Sequence, residues 1–148
     1  MRVVAQRVSH AAVRRVDVEP PLEARIGPGL LLLAGFTASD DEAALDWMAE
    51  KCLGLRVFAD AAGAMNRSVV EAAGALLVVP NFTLYADARR GRRPSFTGAA
   101  PPEQADLLFS TFVTRLRRGP VQVEAGYFQA HMRVELVNDG PVTLLLER

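Results

Sequence analysis

The sequence predicts an α+β fold in a single domain that spans residues 1–148 and contains two main helices. Many short apolar segments end at glycine or proline, as strands do, whereas only two segments show the 3.6-residue apolar period of a helix. These two segments lie far apart along the chain, which favours α+β over the regular alternation of a parallel α/β fold. The chain shows no internal repeat, low-complexity tract or linker that would divide it further.

Two valine-rich segments at the start of the chain predict the first two strands. Residues 1–8 alternate loosely between apolar and polar side chains, and residues 11–18 are expected to form the partner strand. The prolines at 20 and 21 mark the turn that follows, and the Gly-Pro-Gly sequence at 27–29 breaks the chain again. The leucines at 30–33 are too few for a helix and predict a fully buried strand.

The first helix is predicted to begin near Ser39. Ser39 and Glu42 have the spacing of a capping box, in which the hydroxyl accepts from a first-turn N–H and the carboxylate reaches back to the cap. Leu45 and Cys52 then follow the helical period, so Cys52 is expected to pack in the core. Gly54 is the expected C-terminal cap.

The second helix is predicted to begin at Pro101 and Pro102 and to end before Gly119, with arginines in its last turn. The other apolar segments predict strands at residues 55–60, 75–79, 121–124, 131–137 and 142–146. An Asn-Asp-Gly-Pro turn at 138–141 is expected to join the last two strands.

Charge and composition exclude several classes of protein. The 148 residues include 17 Lys plus Arg and 17 Asp plus Glu, so a globally basic surface for nucleic acid is excluded, although a local patch is not. The single Cys52 allows no intramolecular disulfide and is typical of a reducing compartment. No apolar run approaches the ~20 residues that cross a bilayer, and charges replace the apolar stretch of a signal peptide. Neither membrane insertion nor secretion is expected.

The residue patterns of common enzyme and metal sites are absent. His10 and His131 lie in different segments, and neither has a Cys or carboxylate at ligand spacing, so no metal site is expected. The sequence contains no G-x-S-x-G elbow, no phosphate-binding glycine loop and no G-x-G-x-x-G motif. No cofactor is therefore expected, and a nucleophile-and-base enzyme is hard to build from these residues.

Four arginines form a cationic segment in this otherwise neutral chain: Arg89, Arg90, Arg92 and Arg93. Guanidinium groups match phosphate oxygens bidentately, and each neutralised phosphate adds salt-dependent affinity. The segment therefore fits a phosphate-binding loop, and a merely solvated charged loop is an equally good interpretation.

The turn that contains Gly140 and Pro141 is a second candidate. Glycine lets another backbone or a ligand approach closely, and a cis bond before proline would turn both carbonyls to one side. Taken alone, the segment is an ordinary turn, because Gly and Pro dominate turns for conformational reasons.

A series of segments occurs in order along nearly the whole chain: MRVVAQRVSHAAV, IGPGLLLLAG, the pair Met65-Asn66, NFTLYAD, GRRPSF, AHM and LVNDGPVTLLLE. Together they resemble the D-aminoacyl-tRNA deacylase family, the D-tyrosyl-tRNA deacylases. The resemblance implies a β-rich domain, barrel-like or of two sheets, in a cytoplasmic homodimer without cofactor. It also implies hydrolysis of the ester between a D-amino acid and the 3′-terminal adenosine of tRNA, with aminoacylated tRNA, not DNA, as partner.

In that family a cis Gly-Pro dipeptide enters the partner subunit's pocket. By position it is Gly140-Pro141 here, with carbonyl oxygens that would hold the substrate's α-amino group, and Arg7 would fix its orientation. An L side chain would then meet backbone atoms while a D side chain points to solvent. Glycine, which has no side chain, would pass the same filter.

The family's Ser-Gln-Phe-Thr-Leu series reads Pro80-Asn81-Phe82-Thr83-Leu84 in this chain. Proline has no N–H, so donors to the oxyanion are expected from Asn81, Phe82 or Thr83. Thr83 has no neighbouring base to activate it, and the resemblance implies that the terminal ribose 2′-hydroxyl assists the attacking water instead.

The resemblance gives roles to the remaining site residues. Phe128 would pack on the adenine, with a plain core position as the alternative. Arg89, Arg90, Arg92 and Arg93 would contact acceptor-stem phosphates. Because Pro80 and Asn81 depart from the family series, two alternatives stay open: an editing enzyme of relaxed chirality that acts on glycyl- or L-alanyl-tRNA, and a non-catalytic tRNA-binding dimer.

Overall fold

A six-stranded mixed sheet forms the framework of the computed structural model, which describes residues 1–148. Its strands, together with a separate two-stranded ribbon, are β1 (Arg2–Arg15), β2 (Leu22–Ile26), β3 (Gly29–Gly35), β4 (Phe58–Ala59), β5 (Met65–Arg67), β6 (Ala75–Pro80), β7 (Gln122–Ala125) and β8 (Met132–Glu147). The helices are α1 (Glu42–Gly54) and α2 (Pro102–Leu116), with a short 3₁₀ helix at Phe82–Tyr85. The α+β fold with two main helices is therefore confirmed.

The long strand β1 organises the sheet. One of its edges pairs antiparallel with β8 along nearly the full length, and the other pairs antiparallel first with β3 and then with β2. Strands β6 and β7 extend the sheet beyond β3 in parallel. Because β2 also contacts β6 and β7, the sheet curls into a nearly closed, barrel-like form. Strands β4 and β5 form the separate ribbon.

Several predicted boundaries are wrong. Residues 1–8 and 11–18 are not two partner strands: Arg2–Arg15 is one continuous strand with irregular pairing to β8 near Val8, and residues 16–18 lie beyond its end. No glycine or proline separates the two predicted segments. Strand β2 was not predicted, and only Phe58–Ala59 of the expected strand at 55–60 is extended. Residues 138–141 do not end a strand, because β8 continues through them.

The first helix begins later than its capping-box pattern predicted. Asp41, not Ser39, is the N-cap, and its Oδ1 accepts from the Ala44 N–H at 2.8 Å. Ser39 instead hydrogen bonds to Thr37 in the preceding turn. Gly54 is the last helical residue and not the cap. The second helix begins at Pro102, as predicted.

Leu30, Leu31 and Leu32 of β3 are fully buried because the sheet has a core on each face, whereas Leu33 is half-buried. Leu30 and Leu32 point toward the cluster covered by α1 and α2, whereas Leu31 points toward a second cluster inside the curled sheet. Cys52 is fully buried in the first cluster, as predicted. Neither helix is long and apolar enough to cross a membrane.

Candidate active site

A cavity lies where the parallel strands β3 and β6 both end. Its volume is about 510 Å³, and most of its lining is apolar. Its lining includes the side chains of Phe36, Pro80, Asn81, Phe82, Phe96 and Phe128. Ligands commonly bind at the carboxyl ends of parallel strands, where loops and not strands form the surface. The fold therefore places Pro80 and the residues after it at the edge of an apolar cavity.

The turn after β6 is held by hydrogen bonds within the chain. The Asn81 N–H donates to the Ala34 carbonyl at 2.7 Å. Asn81 Oδ1 accepts from the Thr83 N–H at 3.2 Å and from Thr83 Oγ1 at 2.5 Å, which caps the 3₁₀ helix. A Cβ on Gly35 would lie 2.9 Å from the Asn81 carbonyl oxygen, so only glycine allows this approach.

This arrangement decides between the expected oxyanion donors. The backbone N–H groups of Asn81 and Thr83 are already occupied, by Ala34 and by the Asn81 side chain. The Phe82 N–H is thus the remaining backbone candidate. The Thr83 hydroxyl donates its hydrogen bond to the Asn81 side chain and contacts no base. Thr83 also does not line the cavity, so the structure holds no activated threonine nucleophile.

Aromatic rings form part of the cavity wall. Phe82 and Phe96 pack edge to face, with ring centroids 5.1 Å apart, and 57% of Phe82 is exposed. Phe128 is half-buried, and its ring centroid lies 6.4 Å from that of Phe109 on α2. Phe128 thus packs against the core and also lines the cavity, and its contact with adenine stays a prediction. Phe96 lines the cavity but was not predicted as a site residue, although it is the last residue of the GRRPSF segment.

Tyr85 contributes no acid or base near neutral pH. Burial, followed by the charge of Asp40, raises the pKa of its phenol to about 12. The Arg2 guanidinium lies 4.7 Å from the centre of the Tyr85 ring, and its Nη1 donates to the Leu84 carbonyl at 2.9 Å. These contacts hold the far end of the 3₁₀ helix against β1.

A second concavity of about 430 Å³ adjoins the first along the inner face of the sheet. The two share Pro80, Asn81, Ala130 and Met132, so Asn81 lies at their junction. We call the second concavity the sheet groove. Gln6 and His131 also line it, and neither was predicted as a site residue because both lie far in sequence from Asn81.

Gly140 and Pro141 lie on a protruding part of β8. Between the pairs Gln6–Thr143 and Val8–Asn138, the single residue Arg7 faces residues 139–142, so the extra residues bulge from the sheet. The Gly140–Pro141 peptide bond is cis, and both residues are exposed. We call residues 139–142 the β8 bulge. It lines neither the cavity nor the sheet groove of its own chain.

Arg7 supports the β8 bulge from below. Its Nε lies 3.1 Å from the Asp139 carbonyl oxygen and 3.2 Å from Asp139 Oδ2, and its Nη1 donates to the Val57 carbonyl at 2.5 Å. On the other side, Asn138 Nδ2 donates to the carbonyls of Arg7 and Val142, at 3.2 and 3.0 Å. Arg7 therefore holds Asp139, the residue directly before Gly140.

The cationic segment is the tip of a hairpin that leads to the cavity. Asp87 and Ser95 close its base through backbone hydrogen bonds of 2.7 and 2.9 Å, and Phe96 follows directly. Arg89 forms a two-point pair with Asp87, at 2.9 and 2.7 Å, which lowers the pKa of that carboxyl. The other three arginines, at 90, 92 and 93, are exposed and take part in no ion pair.

The site has the character of a binding cavity with polar main-chain and amide groups at its edge. No group of three or more His, Cys, Asp or Glu side chains is placed to hold a metal ion. The fold and the cavity thus define a barrel-like α+β domain with an apolar cavity that is lined by aromatic rings and has amide groups at its edge.

Comparison with known proteins names the family. The sequence profile described as D-Tyr-tRNA(Tyr) deacylase matches residues 4–147, so the chain belongs to the D-Tyr-tRNA(Tyr) deacylase family. A D-aminoacyl-tRNA deacylase of Symbiobacterium thermophilum is 57% identical over 147 residues, which cover 99% of this chain and 95% of the relative. One of Thermomicrobium roseum is 54% identical, with 99% and 94% covered.

Solved structures agree on the fold. A structure titled c-Myc DNA Unwinding Element Binding Protein superposes with a TM-score of 0.91 at 36% identity, and covers 100% of this chain and 99% of the other. A probable eukaryotic D-amino acid tRNA deacylase superposes with a TM-score of 0.81 at 18% identity, with 98% and 97% covered. The second likeness supports the barrel-like fold alone.

Proposed function

We propose that this protein hydrolyses the ester that links a D-amino acid to the 3′-terminal adenosine of tRNA, with glycine as a further substrate. The observation that carries the proposal is the position of the turn at Asn81 and Phe82 on the edge of an aromatic cavity. Family membership and the named relatives point to the same reaction. We place the enzyme in the cytoplasm, where aminoacylated tRNA meets the ribosome.

The cavity suits the terminal adenosine. An adenine ring stacks well on aromatic side chains, and Phe82, Phe96 and Phe128 offer such surfaces on the cavity wall. With the base in the cavity, the ribose and its ester come to the junction at Asn81. The ester carbonyl then lies within reach of donors in the turn.

The second half of the site is proposed to come from a partner subunit. The β8 bulge is exposed and does not line its own cavity, whereas the sheet groove is an open apolar surface. In a two-fold dimer each copy presents the same two features, so the bulge of one chain inserts into the groove of the other. Gly140 and Pro141 then face the partner's Asn81, and their carbonyls hold the substrate's α-amino group.

Chirality is read by these main-chain atoms. With the amino group fixed by two carbonyls and the ester fixed by the turn, an L side chain is directed into the bulge and a D side chain is directed out of the site. Side-chain identity matters little to such a filter. Glycine passes because it has nothing to exclude.

No side chain has to act as nucleophile or base. The 2′-hydroxyl of the terminal ribose assists the attacking water, and the Phe82 N–H stabilises the oxyanion. The three exposed arginines, Arg90, Arg92 and Arg93, contact acceptor-stem phosphates without reading sequence. The paired Arg89 contributes less, because its guanidinium is held by Asp87.

Ester loss from D-Tyr-tRNA, L-Tyr-tRNA and Gly-tRNA, each incubated with pure protein, tests the proposal. Cleavage of the D-ester and the glycyl ester, with a stable L-ester, supports it. A stable glycyl ester would remove glycine from the substrates and leave hydrolysis of the D-ester standing. Comparable cleavage of the L-ester establishes the editing enzyme of relaxed chirality instead. If all three esters survive while tRNA still binds, the protein is the non-catalytic dimer.

A further inference from the structure

We infer that the side-chain amide of Asn81 donates a hydrogen bond from Nδ2 to the reacting ester, and that Thr83 is the positioning residue that aims this amide. The inference rests on the proposed deacylase function and extends it from main-chain donors to one side chain. It gives the turn two donors, the Phe82 N–H and Asn81 Nδ2, in place of one.

The hydrogen bonds of the turn fix which atom of the amide faces inward. A backbone N–H can only donate, so the Asn81 atom 3.2 Å from the Thr83 nitrogen must be the acceptor, Oδ1. Thr83 Oγ1 gives its proton to the same oxygen at 2.5 Å. A flipped amide would place its NH₂ group against the Thr83 N–H, where two donors would face each other. The orientation of the Asn81 amide is therefore determined.

The remaining end of the amide is free for substrate. The Asn81 side chain makes its hydrogen bonds within the chain through Oδ1 alone, which leaves both Nδ2 protons without a protein acceptor. Asn81 lines both the cavity and the sheet groove. A donor at this junction lies where the adenosine in the cavity and the amino acid in the groove are joined by the ester.

The role of this donor is electrostatic. When water attacks the carbonyl carbon, charge develops on the carbonyl oxygen, and a pre-oriented N–H stabilises that charge. The amide neither gains nor loses a proton. Thr83 acts through Asn81 and touches no reacting atom, which explains a hydroxyl that is present at the site but lacks a base.

Asn81→Asp is the sharpest variant, because a carboxylate accepts the same two hydrogen bonds and caps a helix as well as an amide does, yet has no N–H. We expect its single-turnover rate constant for D-Tyr-tRNA, at saturating enzyme, to fall about 100-fold, the typical cost of one oxyanion donor. Its melting temperature should match that of the wild type. The rate should recover as the pH falls toward about 4, where the introduced carboxyl gains a proton to donate.

Thr83 is tested by coupling to Asn81. Thr83→Val, of nearly the same shape but without hydroxyl, should lower the rate constant about fivefold, and Thr83→Ser should restore it. In an Asn81→Ala background, Thr83→Val should have no further effect, because there is no amide left to aim.

The outcomes separate this inference from the proposed function. An active wild type with an equally active Asn81→Asp variant overturns the inference alone. So does an effect of Thr83→Val that is the same with and without Asn81. A wild type that cleaves none of the three esters overturns the proposed function and this inference together.

Discussion

Arg7 and Asp139 are joined at two points, since the Arg7 Nε lies within 3.2 Å of both the carbonyl oxygen and the carboxylate of Asp139. The carboxylate side chain is 60% exposed, whereas that of Arg7 is only 15% exposed. The Arg7 guanidinium is thus the more buried partner, although its contacts with Asp139 are exposed. It ties the β8 bulge to β1 and to the Val57 carbonyl, and so to the rigid part of the sheet.

Arg7→Ala should lower deacylation strongly, because the β8 bulge loses its support from β1. Hydrogen bonds from a charged donor are worth about 1.5 to 3 kcal/mol each, and the contact with Asp139 is exposed, so unfolding in urea should show a destabilisation of about 2 kcal/mol. Asp139→Asn is the matched control. It keeps the carbonyl contact and removes only an exposed ion pair, so it should cost less than about 1 kcal/mol and leave activity near wild type. An equal loss of activity in Arg7→Ala and Asp139→Asn would contradict the supporting role of Arg7.

Gly140→Ala should abolish most activity while leaving the fold intact. The φ angle of Gly140 is +133°, and a Cβ would lie 2.8 Å from the Val142 nitrogen and 3.2 Å from Arg7 Nη2. The bulge must therefore shift, yet Asp139, Gly140 and Pro141 are exposed and only Val142 packs against the core. We expect at least a 100-fold loss in kcat/KM for D-Tyr-tRNA, with an unchanged far-UV circular dichroism spectrum. Gly91→Ala, also at positive φ but in the arginine hairpin, is the control and should keep chemistry normal.

Replacing Arg90, Arg92 and Arg93 by alanine should weaken tRNA binding and flatten its salt dependence. If each contacts one phosphate, the slope of log affinity against log salt should fall in magnitude by about 2 to 3. The double variant Asp87→Asn with Arg89→Gln removes one positive and one negative charge that already pair with each other. It should therefore leave the salt slope unchanged. An unchanged slope in the triple variant would mean that the hairpin faces solvent only.

His131→Gln should retain most activity, although His131 lines the sheet groove. A general base needs a partner that orients it, and of the two histidine rings only that of His10 makes a hydrogen bond, to Ser9. Single-turnover rates at pH 6 to 8 measure the effect, which we expect to stay within about threefold. General-base catalysis contributes about 100-fold or more, so a loss of that size would assign His131 a proton-transfer role.

The sequence predicted elements where a local pattern decided the structure. The helix at Pro102 and the buried leucines of β3 follow from capping, periodicity and apolar runs. The predicted bounds of β1 and β8 were wrong. These two strands pair with each other over a long sequence separation, and this pairing keeps the backbone extended through residues that were predicted to end a strand. The predicted cap at Ser39 was also wrong, because Asp41 competes for the same cap and succeeds.

The same distinction between local pattern and long-range packing applies to the candidate site. The turn at Asn81 and the bulge at Gly140 were recognised from motifs, since each lies within one short segment. Gln6 and His131 were missed, because only the curling of the sheet brings them beside Asn81. The pairing of Arg89 with Asp87 was missed as well, since four similar arginines give no sign of which one the fold retains.

The burial of Cys52 bears on how two copies of this chain are held together. The side chain is fully covered, and burial raises the pKa of its thiol to about 12, so almost no thiolate forms under physiological conditions. Oxidation therefore has no route to a covalent bridge between chains. The proposed dimer is then governed by mass action alone, and enzyme diluted below its dissociation constant loses turnover per chain until it is concentrated again.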